Sequence, residues 1–298
     1  MQTREALRIV ERTLEGQAGH IFDVFTLARP KTTAEAVNYL KVISKLSPLV
    51  GNLIEINVVT LLNEVKEFTQ FGKWKRQDPD FPDALFEGSI HPAPGIEIKA
   101  WFPLATEITA RFKDSQNHFR DDRTDVALLA WLPEHVIYGR PKLIEACVMS
   151  GMSVAQARDN HYHNPPDYLV LEPEDTKART RNLQQTNTNG YIFQGPPDAY
   201  ANAVKVVESW GPDGKTYKTT RDYQALLRRL IAGFPYRLDT NFAKMDRIGH
   251  AELEKFKTRV VESNWHGQSI YAWSQSLFSA NEQLAEAAVK SLLDQSVD

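Results

Sequence analysis

Asp83, Glu97 and Lys99 are the residues of this chain whose types and spacing could do chemistry together. Asp83 lies in the short apolar run Phe81-Pro82-Asp83-Ala84-Leu85-Phe86, and Glu97 and Lys99 lie in the alternating run Ile96-Glu97-Ile98-Lys99-Ala100-Trp101. Gly88, Pro92, Pro94 and Gly95 fall between them and read as a turn. Successive strand side chains point to opposite faces, so Ile96, Ile98 and Ala100 share a face suited to a core. Glu97 and Lys99 share the other face with Trp101. An antiparallel pairing of the two runs brings Asp83 beside Glu97 and Lys99. One carboxylate from each run can hold a divalent cation, and the ammonium can orient a water and offset charge on a phosphate. That is the equipment of metal-assisted phosphodiester hydrolysis.

Other Pro-Asp pairs and acidic-x-Lys triplets occur, but in poorer contexts. Glu64 and Lys66 lie in a helical pattern, where residues two apart do not share a face. Asp213 sits in Gly-Pro-Asp-Gly, a turn, and Asp175 to Lys177 lies in a polar stretch. The segment before the two runs supplies one more acid. Ser47-Pro48 reads as a helix start, with Ser as the cap and Pro in the first position. Apolar residues then recur with helical period from Leu49 to Phe68. Glu55 is embedded among them, with Val58, Val59 and Leu62 as its neighbours on the helix. An ionised carboxylate there is costly unless a cation or donor meets it. Glu64, beside Thr60, Asn63 and Glu67, reads as solvated. Against the chemical reading stands a plainer one, in which Asp83 is a turn acid and Glu97 and Lys99 form an exposed ion pair.

A helix with an embedded Glu, then Pro-Asp on one strand and Glu-x-Lys on the next, resembles the PD-(D/E)xK nuclease superfamily, and within it a type II restriction endonuclease. The resemblance covers about residues 47–131. It implies an α/β fold with a restriction-endonuclease-like core, a mixed central sheet flanked by helices. It also implies that Asp83, Glu97 and the Ile98 carbonyl hold Mg²⁺, that Lys99 is the catalytic lysine, and that Glu55 is the further acid of the first core helix. Oxygen ligands of this kind suit Mg²⁺. The implied activity is cleavage of double-stranded DNA at a specific sequence, leaving 5′-phosphate ends. Cutting both strands of a symmetric site implies a homodimer. The alternatives are another DNA nuclease of the superfamily, for repair, junction resolution or phage defence, and a non-catalytic DNA-binding protein on a nuclease-like core.

A chain of 298 residues, 42% hydrophobic and 24% charged, is of ordinary globular composition. The net charge of −3 does not advertise a nucleic-acid binder, so basic residues must be concentrated locally. Lys73-Trp74-Lys75-Arg76 is one such cluster. Arg158 with Lys177, Arg179 and Arg181 is a second, and Lys215, Lys218, Arg221, Arg228 and Arg229 form a third. The single cysteine, Cys147, excludes an intramolecular disulfide and fits a reducing compartment. No apolar leader is present and no run approaches a membrane span, so the expectation is a cytoplasmic protein without membrane contact.

The rest of the chain reads as helical N- and C-terminal elaborations of one domain: residues 1–46, a core over 47–195, and 196–298. The expected elements are a helix from Arg4 to Leu27 broken near Gly16 to Gly19, and a helix opened by Thr32-Thr33-Ala34-Glu35 and ending near Leu46. Leu104 to Phe119 also reads as a helix, Asp125 to Trp131 as a central strand, and Pro141 to Met149 as either. Ser153 caps a helix to Asn160, and Tyr168 to Leu171 and Tyr191 to Phe193 are strands. Helices follow over Tyr200 to Ser209, Arg221 to Phe234, Ala251 to Ser263 and Glu282 to Leu293. Between them, Arg179, Arg181, Asn182, Gln184, Gln185, Asn187 and Asn189 make a segment rich in groups that read base edges. Arg can bridge guanine, and Asn or Gln can bridge adenine. The segment is the candidate recognition loop, with a polar surface loop as the plainer reading. His161-Tyr162-His163 reads as polar loop residues or phosphate contacts rather than a metal site, since no partner ligands accompany it.

Overall fold

A computed structural model describes all residues except 78–79, 106, 109–115, 117–118, 120–121, 164–190, 194, 215–219, 239–244, 280 and 296–298. The chain divides into two compact units, one of residues 1–110, 114–155 and 250–298, the other of residues 111–113 and 156–249.

The first unit is built on a five-stranded sheet in the order β1-β2-β3-β4-β5. The strands are β1 (Gly72–Arg76), β2 (Ala84–Gly88), β3 (Gly95–Trp101), β4 (Thr124–Pro133) and β5 (Pro141–Ser150). The first three form an antiparallel meander, β4 runs parallel to β3, and β5 returns antiparallel. Every residue of β4 is buried, as its continuous apolar run requires of a strand covered on both faces. Pro141 to Met149, ambiguous in sequence, is strand. Its partner β4 offers an unpaired edge, and an apolar run of this length satisfies its backbone there.

Helix α1 (Thr3–Glu15) and helix α2 (Thr33–Asn63) lie on one face of the sheet. Gly51 of α2 sits within van der Waals reach of Ala100. Arg4 of α1 pairs at 2.8 Å with Asp125, which is register partner to Ile96 on that same face. Trp101 points the other way and meets Phe256 of α6 (Ala251–Glu262), ring centroids 6.0 Å apart. Glu97 and Trp101 are both buried.

Several expectations are corrected. The break expected near Gly16 to Gly19 is present, with α1 ending at Glu15, but no helix resumes toward Leu27: Gly19 turns at φ +89° and Ile21 and Leu27 pair with Lys142 and Gly139. Ser47-Pro48 does not start a helix, since α2 runs through it. Ala36, Leu40, Ile43, Val50, Ile54, Val58 and Leu62 form one buried row across that point. Packing on both sides of Pro48 outweighs its missing hydrogen bond, a loss of about 3 kcal/mol in an unsupported helix. Within α2, Lys45–Asn63 is long and apolar enough to cross a membrane, against the expectation that no run approaches a span. In the fold this stretch packs on β1 and β3, and its Glu55 pairs with Arg76.

The helix expected to begin at Ser153 begins at Gly151, as α3 (Gly151–His163), and His161 to His163 form its last turn rather than a loop. Gly151 is needed there, because a Cβ would lie 2.2 Å from the ring of Phe119. Most of Leu104 to Phe119, and Tyr168 to Leu171, lie outside the described residues. Cys147 is buried, and burial pushes its thiol up to about 12. The unit closes with the short β8 (Asn264–Trp265) and β9 (Gln268–Ser269), then α7 (Ile270–Leu277) and α8 (Glu282–Gln295).

The second unit holds α4 (Pro197–Glu208) and α5 (Arg221–Gly233), with the two-stranded ribbon of β6 (Tyr191–Phe193) and β7 (Tyr236–Leu238). Phe193, Ala203, Val207, Tyr223, Leu227 and Leu230 make its core.

Candidate active site

The site forms where β2 and β3 part. Their ladder pairs only Ala84 with Ile96 and Leu85 with Gly95. One step further on, that register sets Asp83 opposite Glu97. The ladder is not continued there by backbone. Instead the Ile98 N–H donates to Asp83 Oδ2 at 2.7 Å, and the Asp83 N–H donates to Glu97 Oε2 at 3.3 Å. Side chains thus take over the hydrogen bonds of a strand pair, and two carboxylates are drawn into the gap. The expected run from Phe81 is strand only from Ala84, so Asp83 stands just before β2. It is held on the other side by β1, where the Gln77 N–H donates to the Asp83 carbonyl at 2.8 Å. Gly95 makes room for the approach: a Cβ there would lie 2.5 Å from Pro82 Cγ.

Lys99 sits between the two acids. Its Nζ is 2.6 Å from Glu97 Oε1 and 3.2 Å from Asp83 Oδ2. The ion pair of the plainer reading is present but not exposed, since the Glu97 side chain is only 9% exposed and that of Lys99 26%. Burial works to lower the Lys99 pKa, but the charges of Glu97 and Asp83 and their hydrogen bonds outweigh it and hold the ammonium above its ordinary range. Glu97 is shifted upward. Burial is the main cause and the charge of Asp83 adds to it, against the opposing pull of Lys99.

Glu55, from the middle of α2, joins this group electrostatically. Burial raises its pKa, and the charge of Asp83 raises it further. The cation that meets it directly is Arg76 of β1, with Nη2 3.2 Å from Glu55 Oε2. Sequence reasoning placed Arg76 in a basic cluster without a role. The signal was present in strand parity: Trp74 is buried, and Arg76, two residues on, shares its face. Asn63 fixes α2 to β1 nearby, donating to the Trp74 carbonyl at 2.9 Å and accepting from its N–H at 2.7 Å. Beneath, Phe68, Trp74 and Phe86 pack with ring centroids 5.3–5.6 Å apart.

The structure therefore brings together Asp83, Glu97, Lys99 and Glu55, with Ile98 between the two charged residues of β3. The segment with Arg179, Arg181, Asn182, Gln184, Gln185, Asn187 and Asn189 lies outside the described residues. Among the described residues no three His, Cys, Asp or Glu side chains stand close enough to grip a metal ion as they are placed. The donor chemistry nevertheless fits a hard divalent cation. Asp83 and Glu97 meet at Lys99, Glu55 feels the charge of Asp83 and pairs with Arg76, and burial and the charge of Asp83 penalise the ionised forms of Glu97 and Glu55. Added positive charge is what such a group lacks.

Comparisons of the chain with protein-family models, with curated proteins and with solved structures gave no match.

Proposed function

We propose that the chain is a Mg²⁺-dependent deoxyribonuclease of the PD-(D/E)xK kind, cutting double-stranded DNA at specific sites in the manner of a type II restriction endonuclease. The observation that carries this reading is the meeting of Asp83, Glu97 and Lys99 where β2 and β3 diverge. A supporting observation is the order of elements, a helix, an antiparallel meander and a crossover to a parallel strand. That order fits a restriction-endonuclease-like core.

In this reading Asp83, Glu97 and the Ile98 carbonyl hold the metal, with Glu55 as the further acid. A Mg²⁺ ion held there would supply Lewis acidity toward the scissile phosphate. The chain's own contribution is positioning and charge. Asp83 is fixed at its backbone by Gln77 and at its carboxylate by Ile98. Lys99, held cationic by its two acids, acts through its charge and its N–H donors rather than as a general base. It orients the attacking water and offsets the charge that develops on the phosphate oxygens. Burial and the charge of Asp83 shift both Glu97 and Glu55 upward, and added positive charge opposes that shift.

Supercoiled DNA of several unrelated sequences, incubated with the purified chain and Mg²⁺, tests the reading. Discrete fragments whose number follows the DNA sequence are expected. Cutting confined to branched substrates, or random nicking, assigns another nuclease of the superfamily. Binding without cleavage in either Mg²⁺ or Mn²⁺ assigns a binding protein instead.

A further inference from the structure

The net charge of −3 hides a division of charge between the two units. Unit 2 carries 15 Lys and Arg against 11 Asp and Glu, while unit 1 carries 20 against 27. The acidic surplus thus lies with the carboxylate cluster, and the basic surplus lies in the other unit. Its described residues include seven Lys and Arg against six Asp and Glu, and three of the seven lie on helix α5. Tyr223, Leu227 and Leu230 are buried in the unit's core and fix which side of the helix faces inward. At 100° per residue, the opposite ridge is Arg221, Ala225, Arg228 and Ala232, with Arg229 beside it. Arg221, Arg228 and Arg229 are all exposed.

An ordinary solvated helix face mixes signs, with Glu and Lys at i, i+4 spacing. This one sets three guanidinium groups among alanines, and Asp222 is the one acid of the helix. No ion pair or side-chain hydrogen bond among the described residues engages Arg221, Arg228 or Arg229. By contrast, Arg76, Arg140 and Arg259 of unit 1 are each tied to a carboxylate. Alanine at positions 225 and 232 keeps the ridge low, so the helix axis can approach a surface while the longer arginines reach past it. Guanidinium forks match phosphate oxygens bidentately.

We infer that the outward face of α5, through Arg221, Arg228 and Arg229, binds the phosphate backbone of double-stranded DNA. The choice of DNA as the polyanion rests on the proposed nuclease function; the placement of the binding face rests on the charge and geometry of α5. Binding to phosphate fixes position and orientation without reading sequence. This face is therefore a sequence-independent clamp, separate in role from any base-reading segment.

The test is equilibrium binding of a labelled 30-base-pair duplex of arbitrary sequence, by fluorescence anisotropy, to the full chain in EDTA from 50 to 300 mM NaCl. EDTA makes the measurement independent of cleavage. Replacing all three arginines by glutamine is expected to weaken binding at least tenfold at 100 mM NaCl and to flatten the slope of log K against log salt by roughly 2 to 3, about 0.9 for each phosphate no longer neutralised. The triple Arg→Lys variant, which keeps the charge, is expected to retain the slope. Circular dichroism and a melting curve identify a glutamine variant that has failed to fold; Arg228→Glu alone, on the exposed ridge, then serves in its place, with a slope flattened by about 1 or more expected. An unchanged slope in a folded variant overturns the inference, and so does equal weakening in the lysine variant. Stronger binding to anionic vesicles or duplex RNA than to duplex DNA overturns the choice of partner. If DNA is never cut in Mg²⁺ yet these binding changes appear, the nuclease reading fails and the clamp stands; if DNA is cut and the slope does not change, the reverse holds.

Discussion

At Lys99, burial and two carboxylates act in opposite directions, and the carboxylates win. The residue stays cationic through neutral pH, so its chemistry is that of a fixed charge. Lys99→Met, of similar length and neutral, is expected to reduce DNA cleavage by about a hundredfold or more, the usual scale for losing a preorganised charge at a transition state. Lys99→Arg is expected to keep part of the rate, read in single-turnover cleavage assays. The neighbouring acids give a pH prediction. The folded-state pKa of Glu97 and of Glu55 lies above the ordinary carboxylate value, so the folded chain holds protons that the unfolded chain has released. Stability contributed by these two groups is therefore present at low pH and lost as pH rises through their folded pKa. Melting temperatures across pH 4 to 7 should fall less steeply toward neutrality in Glu97→Gln than in the wild type. On the proposed function, millimolar Mg²⁺ at pH 7.5 should raise the wild-type melting temperature and leave Asp83→Asn unmoved. Asp83, Glu97 and Lys99 were legible in the sequence, because a Pro-Asp pair and a Glu-x-Lys triplet on strand-like runs leave few other arrangements. Arg76 was not singled out, because its role depends on α2 lying over β1.

Among the elements, the gap between β2 and β3 depends on Gly95, where a Cβ would collide with Pro82. Gly95→Ala is expected to displace Asp83 and cut cleavage at least tenfold while the chain still folds, since misplacement of a reacting group by about an ångström costs up to a hundredfold. Asn63 tests the fastening of α2 to β1. Asn63→Ala removes both hydrogen bonds to Trp74, and a loss of about 1–2 kcal/mol is expected in urea unfolding, with the two bonds at about 0.5–1.5 kcal/mol each. At this scale the sequence spoke clearly where a single pattern governed: β4, with its unbroken apolar run, and the helices from Arg221 and Ala251 lie close to their expected places. It misled where long-range packing overrode a local signal. Ser47-Pro48 has the chemistry of a helix start, yet the buried row from Ala36 to Leu62 carries α2 through it. α3 begins at Gly151, ahead of Ser153, at a position where a Cβ would collide with the ring of Phe119.

For the whole molecule, the division into two units changes how the modest net charge is understood. A net charge of −3 conceals an acidic unit that holds the carboxylate cluster and a basic unit that holds α5. The third basic cluster of the sequence thus has a described place for Arg221, Arg228 and Arg229, and the first is largely neutralised, with Lys75 on Glu87 and Arg76 on Glu55. The chain's central chemistry is tested most directly by plasmid linearisation. Supercoiled DNA is incubated at pH 8 with the wild type, Asp83→Asn or Lys99→Met, with Mg²⁺ or with EDTA, and the new ends are probed for 5′-phosphate. Cleavage by the wild type in Mg²⁺ alone, with 5′-phosphate ends and with both variants silent, is the expected result. Cleavage that persists in EDTA, or that survives in both folded variants, would contradict the assignment of phosphodiester hydrolysis to Asp83, Glu97 and Lys99.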